Sequence, residues 1–380
     1  MSLKAVIAKT KAYYCLECGI CTGTCPVSRY SPTYSPRVMV ENALLFEEGE
    51  TLCAEELWTC LTCGTCNLRC PSTVDYTAFM AALREKARAI GEQGTCTHAD
   101  TMAALGALQM REDFRKPREW LGKGVRIKPK GSTYYFSGCL PYLNVVFREI
   151  GYEGGESGNA AVRLLNAAGI VPAVSEKEVC CGHDPYWTGD RDSVRYFARR
   201  NLAAIRKTGA KRVVFSCPEG YHMFKHIYPE LGIKVPFECV HILTVLADNL
   251  NKLKLKPFPG EVTYHDPCRL VKFDDVFEAP RELLAAVPDL ALVEMGRIGK
   301  DAMCCGSSNW VSCTRVNKQI QVERLNEAVD TGAATLITSC PKCNIHLRCA
   351  ARDEDNKGKM EIKDILTLLA ESLGGKKRAT

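Results

Sequence analysis

Two short stretches constrain this chain more than any other: 14-YCLECGICTGTCPVSRY-30 and 60-CLTCGTCNLRCPS-72. Both read C-x2-C-x2-C-x3-C-P. A disulfide framework belongs to short secreted chains, and zinc sites normally pair C-x2-C hooks set far apart. The spacing is instead that of thiolates wrapping [4Fe–4S] clusters, with the cysteine before each proline reaching the other cluster. One cubane is therefore expected on Cys15, Cys18, Cys21 and Cys70, and a second on Cys60, Cys63, Cys66 and Cys25. Gly19 and Gly64 follow the second cysteine of each run and let the backbone curl round the core.

Between the runs, 35-SPRVMVENALLFEEGE-50 reads as a helix: Ser35 caps it, Pro36 suits its first position and Gly49 suits its stop. Met39, Ala43, Leu44 and Phe46 give it an apolar side. A second amphipathic helix is expected over 74–90, ending at Gly91. Residues 1–110 thus form an α-helical two-cluster domain. Residues 111–131 are basic, broken by Pro and Gly, and expected to be a linker across a solvated surface.

From residue 132 strands alternate with helices, and the pattern repeats. The segment 208-TGAKRVVFSCP-218 returns as 331-TGAATLITSCP-341, and Cys180-Cys181-Gly182 returns as Cys304-Cys305-Gly306. The helices leading in, 193–207 and 316–330, also correspond. Residues 132–250 and 261–375 are therefore two tandem α/β units, expected to be related by a pseudo-twofold, with 251–260 as connector.

In the second unit Cys268, Cys304, Cys305, Cys340 and Cys343 converge from three strand-end loops, where open α/β folds place their sites. A vicinal Cys-Cys suits two different irons of one larger cluster better than a disulfide or one zinc. This pattern resembles the CCG, or cysteine-rich, domain of heterodisulfide reductase. The words Tyr264-His265-Asp266-Pro267-Cys268-Arg269-Leu270, Ser339-Cys340-Pro341-Lys342-Cys343 and CCGHD at 180–184 carry the likeness, which covers nearly the whole chain. The order of domains resembles the fused catalytic subunit of that enzyme. It is also similar to iron–sulfur subunits of anaerobic glycerol-3-phosphate dehydrogenase and of glycolate and lactate oxidases. The resemblance implies an oxidoreductase subunit whose five cysteines bind a non-cubane [4Fe–4S] cluster that reduces a disulfide or similar acceptor. The alternative is an electron relay within a larger complex. In the first unit Cys139, Cys180, Cys181 and Cys217 remain, but 217-CPEG-220 puts Gly220 where the fifth cysteine belongs. That site is left open between a cubane, a four-ligand variant cluster and nothing.

His183 and His265 stand beside these cysteines, either to give protons to a leaving thiolate or to hydrogen-bond a loop. Lys342 either tunes a cluster through its charge or is a solvent-facing lysine. Cys53, Cys96, Cys239, Cys313 and Cys349 fall outside all patterns and are expected to be buried apolar filling. With 22 cysteines and no apolar stretch at the N-terminus that suits a signal peptide, the expected place is the cytoplasm. A net charge of +6 over 380 residues, without a basic face, gives no case for nucleic acid. No run reaches the length of a membrane span. No nicotinamide or flavin fingerprint is visible. Electrons are therefore expected from a flavoprotein or dehydrogenase partner docked near residues 15–25 or 60–70. A quinone-linked role would add a separate membrane subunit.

Overall fold

The computed structural model describes residues 2–374 except 96, 123, 312, 354, 355 and 357. The N-terminal part is helical. Pro36–Leu45 is capped by Ser35, whose hydroxyl accepts the Val38 N–H at 3.4 Å. The helix stops at Phe46 rather than Gly49, because Phe46 turns extended (φ −103°, ψ 169°) and a new helix, Glu48–Cys53, runs through Gly49. Its apolar side is split: Met39 and Ala43 are buried, whereas Leu44 and Phe46 face solvent. Tyr76–Ala89 is the second expected helix, capped by Asp75 and followed by Gly91 at φ +95°. Its Arg84 is fully buried and donates to the carbonyls of Leu57, Cys60 and Trp187. One guanidinium thus ties the helix to the second cysteine run and to the first α/β unit.

Each α/β unit is a parallel sheet. In the first, β1 (Thr133–Phe136), β2 (Arg212–Phe215) and β3 (Glu238–His241) lie in that order. In the second, β4 (Gly260–His265), β5 (Leu290–Leu292), β6 (Thr335–Thr338) and β7 (Glu361–Asp364) give the order β5-β4-β6-β7. Among the described residues the first unit has a single parallel bridge, Tyr134 to Ala173, on the β1 edge where the second has β5. Phe136 is in register with Phe215, and His265 with Thr338. The same side-chain bond closes both strand ends: Tyr135 to Ser216 at 2.8 Å, and Tyr264 to Ser339 at 2.7 Å.

The helices Arg191–Lys207 and Arg315–Val329 precede β2 and β6, as the repeat predicts. The units pack reciprocally. Gly154–Ala167 of the first meets Ile365–Glu371 of the second, and Glu278–Ala285 of the second meets Ile242–Ala247 of the first. These are equivalent pairs with the roles exchanged, as a twofold relation requires.

Most charges of 111–131 are exposed, but the stretch is not simply a solvated linker. Lys116 is buried, pairs with Glu178 and donates to Gly138 O at 2.7 Å, and Leu121 is buried too. An ammonium at this depth needs such partners. Among the described residues no helix is long and apolar enough to cross a membrane.

Candidate iron–sulfur centres

The two cysteine runs are built alike but face different surroundings. Gly19 (φ +76°) and Gly64 (φ +78°) are both left-handed and start the helices Ile20–Thr24 and Thr65–Arg69, which pack on each other. A Cβ on Gly64 would lie 2.7 Å from the Phe273 ring, so the second unit is seated directly on this turn. Cys25, Cys60, Cys63 and Cys66 line one small cavity, the set expected for the second cubane. Cys15, Cys18 and Cys21 lie within electrostatic reach of one another, with Cys18 exposed. Burial pushes the Cys25 thiol up to about 12, and raises Cys60 and Cys66 as well. Left as free thiols these would stay protonated at neutral pH; a metal core is what holds buried cysteines as thiolates.

The second α/β unit brings its five cysteines together round one cavity of about 20 Å³. Cys304 touches Cys268 and Cys305; Cys305 touches Cys343; Cys343 touches Cys340. The adjacent Cys304 and Cys305 meet each other but otherwise face different partners. His265 stands against Cys305 and Cys343. Arg324, always a donor, gives its Nε–H to His265 Nδ1 at 3.0 Å. Burial lowers the imidazole pKa, so the neutral ring carries its proton on Nε2, toward the cysteines. His265 Nε2, Arg324 Nη2 and Thr338 Oγ1 are buried atoms without a hydrogen-bond partner. A donor set of five sulfurs edged by orphaned polar atoms fits an iron–sulfur group.

The first unit places Cys139, Cys180 and Cys181 in contact, with Cys217 within electrostatic reach of Cys181. Its fifth corner is closed differently. A Cβ on Gly220 would first meet the rings of Phe215 and Phe136, at 3.5 and 3.7 Å, and these rings pack on each other at 5.4 Å. The two sites lie back to back, since Cys217 is raised by burial and then by Cys340 of the other unit.

Between the sites lies a charged group that the sequence pattern did not foretell. Lys342 is buried, not solvent-facing. It pairs with Asp184 and, at 3.0 Å, with Glu219. These pairings raise the Lys342 pKa against the opposing pull of burial. Burial pushes the Glu219 carboxyl up to about 7. Glu219 and Lys342 are equivalent positions of CPEG and CPKC, so the pair joins like positions of the two repeats. His183 accepts from Trp187 Nε1 at 3.1 Å and turns its other nitrogen to Asp184 and Glu219, so its hydrogen bonds serve the loop.

Another unforeseen junction joins the domains. Cys63 of the second run is in hydrogen-bond contact with Cys304. Arg269 donates to Thr62 O at 2.7 Å, Lys272 to the Thr65 hydroxyl at 2.6 Å, and Asn309 to the Thr62 hydroxyl at 2.9 Å. The remaining cysteines depart from expectation: Cys53 and Cys313 are exposed, and Cys239 and Cys349 are half-buried. Cys349 accepts from Lys318 Nζ at 3.1 Å, a polar contact rather than apolar filling. Cys96 lies outside the described residues.

A helical two-run domain and two half-open parallel units with converging cysteines define a class, and the comparisons agree. Residues 11–74 match the 4Fe-4S dicluster domain, and residues 133–225 and 262–348 match the Cysteine-rich domain. The chain belongs to the family of iron–sulfur proteins that includes a subunit of dihydromethanophenazine:CoB–CoM heterodisulfide reductase. It is 30% identical to that subunit from Methanosarcina barkeri and 31% identical to the one from Methanosarcina mazei, in each case over 95% of this chain and 93% of the relative. It is also 24% identical to the EtfAB:quinone oxidoreductase of Syntrophomonas wolfei, over 87% of this chain and 48% of that protein. A crystal structure of a hypothetical protein from Helicobacter pylori shares the fold. That likeness has a TM-score of 0.58 at 12% identity and covers all of this chain and 78% of the other. The chain is an iron–sulfur, electron-transferring oxidoreductase component.

Proposed function

We propose that the chain is the iron–sulfur subunit of a heterodisulfide reductase-like complex. It carries electrons from its helical domain to the second CCG site, where a disulfide or similar acceptor is reduced. The observation that carries this reading is the contact of Cys63 with Cys304, which joins a cubane ligand set to the five-cysteine set with no side chain between them. We assign Cys15, Cys18, Cys21 and Cys70 to one cubane, and Cys60, Cys63, Cys66 and Cys25 to the other. Cys268, Cys304, Cys305, Cys340 and Cys343 are assigned to a non-cubane [4Fe–4S] cluster. Such groups supply one-electron storage over a wide range of potential. The chain's own residues fix the sulfurs, exclude water and, through His265 Nε2–H, offer a hydrogen bond to the Cys305 side.

The partner side follows from exposure. The second run is covered by Arg269, Lys272 and Phe273. The first run is open, and Tyr13, Tyr14, Leu16 and Ile20 stand around its cysteines as exposed apolar side chains, with Leu68 on the adjoining helix. A flavoprotein, the usual converter of hydride pairs into single electrons, docks on this face near residues 13–21. The complex is placed in the cytoplasm, with a membrane subunit if its acceptor is quinone-linked. The relay reading is favoured by one observation, the phenyl-filled corner at Gly220, which leaves a single five-thiolate site.

Anaerobic iron and acid-labile sulfide analysis tests the assignment. About eight irons are expected on the eight ferredoxin-type cysteines and at least four more on the second unit. Stoichiometric zinc on the first eight would sink it.

A further inference from the structure

A roomier space than the void at the five cysteines lies beside the first unit's cysteines. A cavity of about 360 Å³ lies beneath the helix Thr101–Gln109, with Cys139 and Cys180 in its wall. A second void of about 30 Å³ shares Cys139, Cys180, Met102 and Trp310 with it and extends to Glu219 and Lys342. Those two residues also line the void at the five cysteines. Three spaces with common walls therefore run from the cavity past the first site to the second.

The lining says what the cavity takes. Met102, Leu105, Met110, Phe197, Trp310 and Val311 make it apolar. Its charged groups have partners already: Arg88 pairs with Asp190 at 3.2 Å, and Asp184 with Lys342. An anionic or cationic ligand would find no free countercharge and would have to be desolvated without compensation. The volume is that of a small organic molecule.

The roof is unusual. The helix TMAALGALQ carries no charge, yet several of its residues are exposed, Leu108 among them. It is entered through three successive left-handed residues, His98, Ala99 and Asp100, at φ +59°, +49° and +60°. Asn309 and Trp310 in the opposite wall are left-handed as well, at φ +55° and +64°. Such conformations cost energy in non-glycine residues and collect at ligand clamps. His98 sets its ring edge-on against Trp310 at 5.2 Å, which joins the entry of the roof to the wall.

We propose that this cavity seats the uncharged, apolar body of the electron acceptor, with the acceptor's reacting end directed along the passage toward Glu219, Lys342 and the second site. The proposal rests on the reading of the chain as a reductase. The shared chemistry of the occupant is an uncharged apolar body, carried either by an aryl disulfide or by a quinone.

Gly106 gives a clean test. It lines the cavity, and a Cβ there would meet nothing within 4 Å. Gly106→Leu therefore starts its side chain in open space and removes a helix-weakening glycine. Ala103→Phe is the second filling variant, and Leu108→Ser changes only the exposed side of the roof. Anaerobic, iron-loaded full-length protein is dialysed to equilibrium against two probes. One is a dimethylnaphthoquinone blocked against thiol addition; the other is diphenyl sulfide, an inert stand-in for an aryl disulfide. Carboxylated counterparts of both are run alongside.

Saturable binding of one apolar probe per chain is expected, with its carboxylated counterpart about tenfold weaker or worse, a difference of about 1.4 kcal/mol. Gly106→Leu or Ala103→Phe weakens binding by about tenfold or more at unchanged iron content, and Leu108→Ser leaves it alone. Which probe binds identifies the source of the apolar body. No saturable binding of either probe, or binding that both filling variants leave intact, overturns the cavity assignment. Failure of the wild-type protein to reduce any disulfide or quinone while binding persists would instead remove the reductase reading and leave the cavity assignment standing.

Discussion

The two CCG units share strand order, the Tyr–Ser bond at the strand end and a left-handed glycine after the paired cysteines, yet they finish their sites in opposite ways. In the second, His265 stands beside Cys343 and in register with Thr338, and both His265 Nε2 and Thr338 Oγ1 are orphaned buried atoms. In the first, the equivalent Gly220, Phe136 and Phe215 make an apolar corner, and Phe224 closes it at 5.0 Å from Phe136. The difference is therefore a joint exchange of three residues. A lone loss of a cysteine would have left a void or an unpaired imidazole. Here the missing thiol and the filled space match: four cysteines gather in the first unit, and five in the second.

The largest effect should come from breaking the second site. Cys304→Ser is expected to abolish acceptor reduction and the paramagnetic signal of that site, while Cys217→Ser lowers activity only in part. Freeze-quench electron paramagnetic resonance with parallel turnover assays checks this, and equal losses would erase the asymmetry.

Next is the charge between the sites. Lys342→Met strands the Asp184 and Glu219 carboxylates, and stability should fall by roughly 3–5 kcal/mol. Adding Glu219→Gln should restore part of it, read as denaturant midpoints of the iron-loaded protein. If the single variant is as stable as the wild type, the buried pairing is not a real constraint.

A smaller effect concerns acid stability of the first unit. His222 and His241 are both pushed down to about 4 by burial. Their folded pKa lies below the unfolded value near 6.5, so each stabilises the fold fully above about pH 6.5. That contribution is lost as pH falls toward 4, amounting to about 2 kcal/mol each at pH 5. His241→Asn keeps an acceptor for the Leu243 N–H and should remove about 2 kcal/mol of the stability change between pH 7 and 5, leaving acid loss of iron unchanged. An unaltered slope would show that His241 does not titrate with folding.

The smallest effect is Gly220→Cys. Its Cβ meets ordinary contacts only, at a residue whose φ is not positive, so the melting temperature should stay within a few degrees. Phe136 still occupies the corner, so iron content should not change. An increase in iron would mean that the corner can reopen, and that the units differ by one residue after all.

Much of this was legible in the sequence. The twin runs, the 123-residue repeat from Gly209 to Gly332 and the Ser-Cys-Pro strand ends set the domain order and the cysteine groups, because each is a local pattern with a fixed geometric meaning. The helix stop at Gly49 was not legible, since a glycine ends a helix only where the backbone turns left-handed, and Phe46 had already turned it extended. Lys342 and the Cys63–Cys304 contact were hidden for another reason. Both depend on how separate units are stacked, and a spacing rule carries no information about that. The cavity is of the same kind, made by a helix whose composition resembles core filling but which roofs a space.

Cys63, Cys304 and Met303 sit in one apolar core with Leu57, Phe79 and Ile320, so this core is made of the first and the last thirds of the chain together. A ribosome delivers those thirds far apart in time. The helical third emerges with three buried members of its core, Met303, Cys304 and Ile320, still missing, and Cys63 stays uncovered until the last third arrives. Iron and sulfide reach those sulfurs most freely before that closure, which leaves Cys60 and Cys63 buried and Cys25 and Cys66 half-buried. Filling is thus tied to timing: the interlock that brings the two sulfur sets together also narrows the way in to one of them.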